Sequence, residues 1–414
     1  MAGAAVQNNG VDRYTTTFRI LRGALGPVPA CRLEIKPLTV FIGRQGTGKS
    51  LVAQVLYFFE ELPYLAAFVE ASERDATTWS DARVARHLLD RLRSSNRAFG
   101  TFANPSVSID YVRSVPYSKL FDGTKPLRFN AQSANRVIAP NEALRTLLHD
   151  ARQHDGEKLR RAIFFPTERM VISQLLTAMS EKLLSLPLTF TLFKDWIELA
   201  SQTIGGWKAG QPESEEAKWV AARSAEALDG HVVRRKDQWK WRYGKGAAQQ
   251  FDIDMASSGQ RANWSLGYVA QALFSLREDR SVSRQITLFV EEPEIHLHPA
   301  AQVEILRILA YLVNHGFRVV VTTHSLSLLY ALNNLVQAHA LKGDGDARLP
   351  EKSVRLSPDD VAVYGFKTGE APQSLVEPKS GFISEAMLGG VADDLSAELN
   401  RISLKLARQD LEGE

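Results

Sequence analysis

Residues 43–50, Gly43-Arg44-Gln45-Gly46-Thr47-Gly48-Lys49-Ser50, satisfy the pattern G-x-x-x-x-G-K-[ST] at every fixed position. Glycines at this spacing let successive backbone N–H groups wrap phosphate oxygens without Cβ clashes. Lys49 is then placed for the β- and γ-phosphates of a nucleotide such as ATP, and the Ser50 hydroxyl for Mg²⁺. A chance glycine-rich turn is the alternative. Against it, an apolar stretch over 38–42 precedes the loop, and a helical spacing (Leu51, Val52, Val55, Leu56, Phe59) follows. A helix that begins there turns its N-terminus toward the phosphates.

A second set of chemical residues lies far downstream. Residues 286–299 read ITLFVEEPEIHLHP. A buried strand ending in adjacent carboxylates is the Walker B arrangement, in which Glu291 would support the Mg²⁺ shell and Glu292 would polarise an attacking water. Two neighbouring acids at the end of an apolar strand are costly unless they face a cation or solvent. The plainer alternative is that both cap the next turn. His296 and His298 lack the H-E-x-x-H spacing and fall in the loop, so they read as packing residues rather than metal ligands.

Residues 319–325, VVVTTHS, close the following strand with His324. A neutral imidazole there can hydrogen-bond the γ-phosphate or the attacking water. A strand-end histidine alone is more often structural, but its place one strand–helix–strand step after Glu292 favours the chemical role. Ser257-Ser258-Gly259-Gln260 stands before a helix predicted over 262–277. Hydroxyls and backbone N–H groups at a helix start suit a phosphate, although the same residues cap ordinary helices.

The elements that must position these groups fall into two dense regions. In the first, strands are predicted over 15–21, 31–35 and 38–42, then a helix from 49 to about 61. In the second, 286–290 and 317–322 are apolar runs flanking a helix over 299–314. This βαβ unit implies a parallel sheet covered by helices. The boundaries that follow are 1–70 and 251–380 for the two parts of the core and 381–414 for a polar, helical C-terminal tail. Between them, 71–250 reads as a mainly helical insertion, with a core strand near 162–166 and a hairpin near 231–243.

The chain has 414 residues, 44% hydrophobic and 23% charged, which is ordinary globular composition with room for a large core. A net charge of +3 argues against a polybasic nucleic-acid binder, though not against a local basic groove. The single cysteine, Cys31, excludes an intramolecular disulfide or a thiolate metal cluster. The first residues lack a secretory pattern and no apolar stretch is long enough to span a bilayer, so a cytoplasmic protein without membrane partner is expected.

Four elements in this order (P-loop, SSGQ, EEPEIHLHP and TTHS) resemble those of the ABC ATPase superfamily. They are most similar to the branch of OLD-family, RecF/SMC-type and AAA15-like ATPases, the last found in bacterial phage-defence operons. Phe165-Pro166-Thr167-Glu168-Arg169 is similar to an F-I-P-A-E-R element of that group. Gln45 stands where Asn is usual and Glu291 where classical members have Asp.

The resemblance implies a P-loop NTPase with an ABC ATPase-like α/β core that uses ATP and Mg²⁺. It implies that Ser258 and Gly259 of one subunit contact the γ-phosphate held by Gly43–Ser50 of another, in a homodimer or higher homo-oligomer. It makes His324 the switch histidine and places a Q-loop glutamine in the middle region, with Gln132 as candidate. The residues after 366 are too few for the Toprim nuclease domain of OLD proteins, so an effector (a nuclease or toxin) would be separately encoded. The expected function is an ATPase acting as sensor or scaffold of an anti-phage system, with RecF-like DNA maintenance as the alternative. For DNA, Arg234, Arg235, Lys236, Lys240 and Arg242 interleave with Trp239, Trp241 and Tyr243, a pattern that serves a nucleic-acid backbone or the wet face of a hairpin.

Overall fold

The apolar run that ends in the P-loop becomes an interior strand of a six-stranded sheet. The computed structural model describes residues 14–72, 83, 106–118, 121–132, 137–151, 159–172, 188–207, 212, 214–235, 238–244, 250–341, 343, 346, 348–378 and 380–384. The chain runs β1 (Thr16–Arg22), β2 (Cys31–Ile35), β3 (Leu38–Gly43) and α1 (Lys49–Ser72), then β4 (Ser106–Arg113), β5 (Leu127–Gln132), β6 (Val137–Pro140) and α2 (Glu142–Ala151). It continues through β7 (Ala162–Phe165), α3 (Leu188–Gly205), α4 (Glu215–Leu228), β8 (Gly230–Arg235), β9 (Gln238–Tyr243) and β10 (Gln250–Asp252). The last elements are α5 (Ser258–Glu278), β11 (Thr287–Glu291), α6 (Pro299–Asn314), β12 (Arg318–Thr323), α7 (Leu326–Gln337), β13 (Val361–Phe366) and β14 (Gln373–Ser374).

The main sheet has the order β14-β13-β3-β12-β11-β7 and is parallel apart from β14. Strands β3, β11 and β12 are buried at every residue, as a sheet covered on both faces requires. Alternate side chains divide between two cores. Val40, Val290 and Val321 join the core under α3, α5, α6 and α7, whereas Phe41, Phe289 and Val320 join the one under α1 and the second sheet.

That second sheet is antiparallel, in the order β2-β1-β4-β5-β6. Residues 106–140 therefore hold three strands that the mainly helical reading of 71–250 did not place, while α2, α3 and α4 are its described helices. In β4 the alternation is obscured because Asp110 is buried with Val107, Ile109, Tyr111 and Arg113, held by Arg128 at 2.5 Å. The strand near 162–166 joins the sheet as β7, and the hairpin near 231–243 forms as β8 and β9. Apolar spacing predicts helices over 83–93 and 172–186; these and the C-terminal tail after 384 lie outside the described residues, apart from Arg83 and Ile172.

Two features lock α1 in place. Pro63 lacks an N–H and so frees the carbonyl four residues back, at Phe59; the Tyr117 hydroxyl donates to it at 2.5 Å. Beside it the buried Glu60 accepts from Tyr111, Arg113 and Arg318, the last at 2.7 Å. Arg318 opens β12 and also donates to Thr16 Oγ1 at 3.0 Å. Burial alone would raise the Glu60 carboxyl, but the guanidinium groups of Arg113 and Arg318 outweigh it and hold it below its ordinary value.

Candidate active site

Parallel strands bring their carboxyl ends to one edge of the sheet, where an open α/β fold places its ligands. Register aligns Gly43 with Phe366, Ile42 with Thr323, Thr322 with Glu291, and Val290 with Phe165. The P-loop, Glu291–Glu292, His324 and the exit of β7 therefore share one cleft, although the sequence separates them by up to 281 residues (Gly43 to His324).

The loop geometry explains its glycines. Gly46 (φ 78°) and Gly48 (φ 95°) take the left-handed backbone that L side chains avoid. A Cβ at Gly48 would lie 2.5 Å from the Val28 side chain, so the loop is also tightly seated. Thr47 Oγ1 donates to the Arg44 carbonyl at 2.8 Å. Lys49 Nζ donates to the carbonyls of Gly43 and Arg44, both at 2.8 Å, and lies 3.5 Å from His324 Nε2. Burial lowers the Lys49 ammonium to about 8, opposed by the carboxylates of Glu292, Glu294 and Glu291. It stays mostly protonated at neutral pH, a cation aimed at the loop.

Glu291 ends β11 fully enclosed. Its Oε2 accepts from the backbone N–H and hydroxyl of Thr167 at 3.2 and 3.3 Å, while Oε1 is buried with no hydrogen-bond partner among the described residues. Burial pushes the carboxyl up to about 7, with the Ser50 hydroxyl and the Thr167 backbone opposing. A buried carboxylate oxygen lacking a donor, next to a serine hydroxyl, fits a hard divalent cation. Ser50 and Glu291 are thus the residues that would hold Mg²⁺, which would neutralise charge on the phosphates.

Glu292 is half-buried and adopts φ 42°, an uncommon conformation for a residue with a side chain. Its Oε1 lies 3.1 Å from His324 Nε2. The same imidazole nitrogen thus stands between Glu292 and Lys49. A water at the γ-phosphate would meet a base in Glu292 and a hydrogen-bonding partner in His324.

Sequence reasoning assigned no role to three further groups. Glu294 Oε1 accepts from Thr323 Oγ1 at 2.6 Å and the His324 N–H at 2.8 Å, so the third acid of EEPE fixes the histidine's loop. Thr167 steadies Glu291. Arg169, in the F-P-T-E-R element, reaches the backbone of both Walker B acids. For Thr167 and Arg169 the signal was present in that element, because β7 lies directly beside β11. Gln132 closes β5, opposite Ser106 and Val137.

The helix start at Ser257 is arranged differently. Ser257 is the N-cap of α5, and Ser257 and Gln260 bond each other reciprocally in a capping box. Gln260 Nε2 also donates to the Leu228 carbonyl at 2.8 Å. Ser258 is exposed, and among the described residues no hydrogen bond or ion pair joins Ser257–Gln260 to the P-loop. His298 caps α6, and His296, with φ 58°, shapes the turn before it. On the hairpin, Trp239 and Trp241 are buried, at 2% and 0% exposure, so neither can stack on a base. Lys240 is paired with Asp252 at 2.6 Å, and Arg234 donates to Ser201 at 2.8 Å. The hairpin's tryptophans serve the core; Lys236 lies outside the described residues.

This fold and cleft define a P-loop NTPase with an ABC ATPase-like core. The AAA ATPase domain family (AAA_15) matches residues 171–329, a span that begins just after the F-P-T-E-R element and includes Glu291, Glu292 and His324. That match supports ATPase activity at a general level. No curated protein matches the chain.

Among solved structures, the chain is similar to an SMC head bound to the C-winged helix domain of ScpA. The two are 11% identical, with 87% of this chain and 96% of that chain covered, at a TM-score of 0.47. The SMC head domain from Thermotoga maritima is 10% identical over 88% of this chain and 99% of its own, at a TM-score of 0.39. The recombination mediator protein RecF of the RecFOR pathway is 11% identical over 88% and 99%, at 0.37. Likenesses this remote add nothing to the strand order and the departure of the P-loop from β3, which define the fold. Among the described residues no helix is long and apolar enough to cross a membrane.

Proposed function

We propose that the protein hydrolyses Mg·ATP in sites completed only when two copies meet, with Gly43–Ser50, Glu291, Glu292 and His324 from one and Ser258 and Gly259 from the other. In this reading Lys49 binds the β- and γ-phosphates, and Glu292 takes a proton from the attacking water. His324 holds that water and the γ-phosphate. Glu294 keeps His324 at the cleft.

The observation that carries the proposal is the split within the candidate site. Lys49, Glu291, Glu292 and His324 stand in one cleft, whereas Ser258 is exposed at a helix start with no bond to that cleft among the described residues. Met255, three residues before Ser258, is 77% exposed, an apolar side chain suited to being covered by a second subunit. The resemblance to ATPases of phage-defence operons extends the reading. The ATP-bound assembly would act as sensor or scaffold that holds or releases a separately encoded nuclease or toxin.

The test is the solution mass of Glu292→Gln protein with and without Mg·ATP. Slowed hydrolysis should trap the ATP-bound assembly, and the mass should double, but not when Ser258→Arg is added. A monomer under both conditions would refute the composite site.

A further inference from the structure

Arg169 is 1% exposed, yet among the described residues its four hydrogen bonds all go to neutral oxygens. Nη1 donates to the carbonyls of Pro166 at 3.1 Å and Glu291 at 2.6 Å. Nη2 donates to the Glu292 carbonyl at 2.8 Å and to Asn263 Oδ1 at 3.0 Å. Only a planar fork reaches this set at once; an ammonium on a single carbon cannot. Two of the acceptors belong to the peptide units that bracket the left-handed backbone of Glu292. A conformation of this kind persists only where its surroundings hold it.

Asn263, 0% exposed, continues the connection. Its Nδ2 donates to the Gly259 carbonyl at 3.1 Å and to the Ile295 carbonyl at 3.0 Å. Gly259 itself lies so close to the same turn that a Cβ there would be 2.5 Å from the His296 carbonyl. The start of α5, the turn after β11 and the backbone of Glu292 are therefore bolted together through two buried side chains. The outer end of the connection is the exposed Ser258.

We infer that Arg169 and Asn263 are positioning residues: they hold Glu292 in its left-handed turn and tie that turn to Ser258, so that seating Ser258 on a nucleotide sets Glu292 in the same subunit. The inference rests on the composite-site reading above. In a two-fold dimer Ser258 of each copy touches the nucleotide of the other, so each ATP acts on the base of the subunit that does not hold it. Hydrolysis is then cooperative between the two sites.

The experiment compares steady-state ATP hydrolysis and binding of a fluorescent ATP analogue in the full chain and two variants that keep the buried turn polar. Asn263→Asp retains the acceptor for Arg169 but loses both donors. Arg169→Lys retains the charge but loses the fork. For wild type the Hill coefficient should exceed 1. Asn263→Asp should bring it to 1 and cut kcat about tenfold, and Arg169→Lys should cut kcat about a hundredfold, the scale of a group displaced by an ångström. Analogue binding should stay within about threefold in both, since neither residue touches the P-loop.

If wild type is cooperative and Asn263→Asp keeps both its rate and its cooperativity, the inference is overturned while the composite site stands. If wild type itself turns over non-cooperatively at a rate per molecule independent of protein concentration, the composite-site reading has failed, whatever the variants do. Should either variant unfold, Ser258→Ala at the exposed end reads the same connection. A joint fall in kcat and Hill coefficient supports it, and a fall in apparent affinity alone overturns it.

Discussion

Glu60 and Glu291 are both carboxylates buried against the same parallel sheet, at 2% and 4% exposure, and they stand at opposite ends of its strands. At the amino ends, Glu60 is met by Arg113, Arg318 and Tyr111, and its carboxyl is held below the ordinary range. At the carboxyl ends, Glu291 has no salt bridge and keeps one oxygen without a donor among the described residues, and burial pushes it up to about 7. Burial is the largest influence on both, so the difference lies in what the chain supplies to answer it. Where the chain supplies the cations, the acid locks three segments together. Where it does not, the acid is left competent to take a cation from outside. In the proposed function, the two edges divide the work of holding the fold and doing chemistry.

The comparison breaks first at the base. Glu292→Gln should lower the ATP hydrolysis rate by about 10²–10⁴-fold, the range for losing a general base, while thermal melting stays close to wild type. Glu60→Gln should do the reverse. Leaving Arg113 and Arg318 buried around a neutral amide should cost about 3–5 kcal/mol, read as a lower denaturation midpoint. Glu291→Gln sharpens the contrast, because it removes a buried carboxylate that has no salt bridge among the described residues. The free protein should melt at or slightly above the wild-type midpoint, but added Mg²⁺ should no longer raise the midpoint of the ATP-bound protein. That increment corresponds to about 2.7 kcal/mol for a ligand at a hundred times its dissociation constant.

The smallest effect is on acid stability. Because the folded Glu60 carboxyl lies below its ordinary 4.5, the unfolded chain takes up its proton first. Its contribution is complete above that value and disappears as pH falls through the lower, folded one. A melting series below pH 4.5 should slope more steeply for wild type than for Glu60→Gln.

Much of this arrangement was legible in the sequence because it depends on local pattern. The continuous apolar runs of β3, β11 and β12 announced strands buried on both faces, and the residues directly after them had to emerge at one edge. Strands β4 to β6 were not legible, since in β4 a buried Asp110 and Arg113 break the alternation that marks a half-exposed strand. Arg113 in such a place is intelligible only with Glu60, 53 residues earlier, and Arg318, far downstream. Asn263 likewise reads as an ordinary polar helix residue until Arg169 and Ile295 are brought beside it. Alternating cations and aromatics on the hairpin left its facing open, and the packing of Trp239 against Trp264 and Tyr268 resolves it.

The place of β3 in the sheet has a consequence for how the chain is made. Its neighbours are β12 and β13, so the strand that launches the P-loop has no partner in the sheet until residues 318–323 and then 361–366 have been synthesised. At about 5–20 residues per second, the interval before β12 appears is on the order of 15–60 s. During that time the apolar β3 and the incomplete Glu60 cluster must be kept from wrong partners. Nucleotide cannot assist, because the loop that would grip it has no fixed floor. Maturation of this sheet is thus a late closure: β1 and β2 can pair as soon as they are made, whereas β3 waits for residues 318–323 and 361–366.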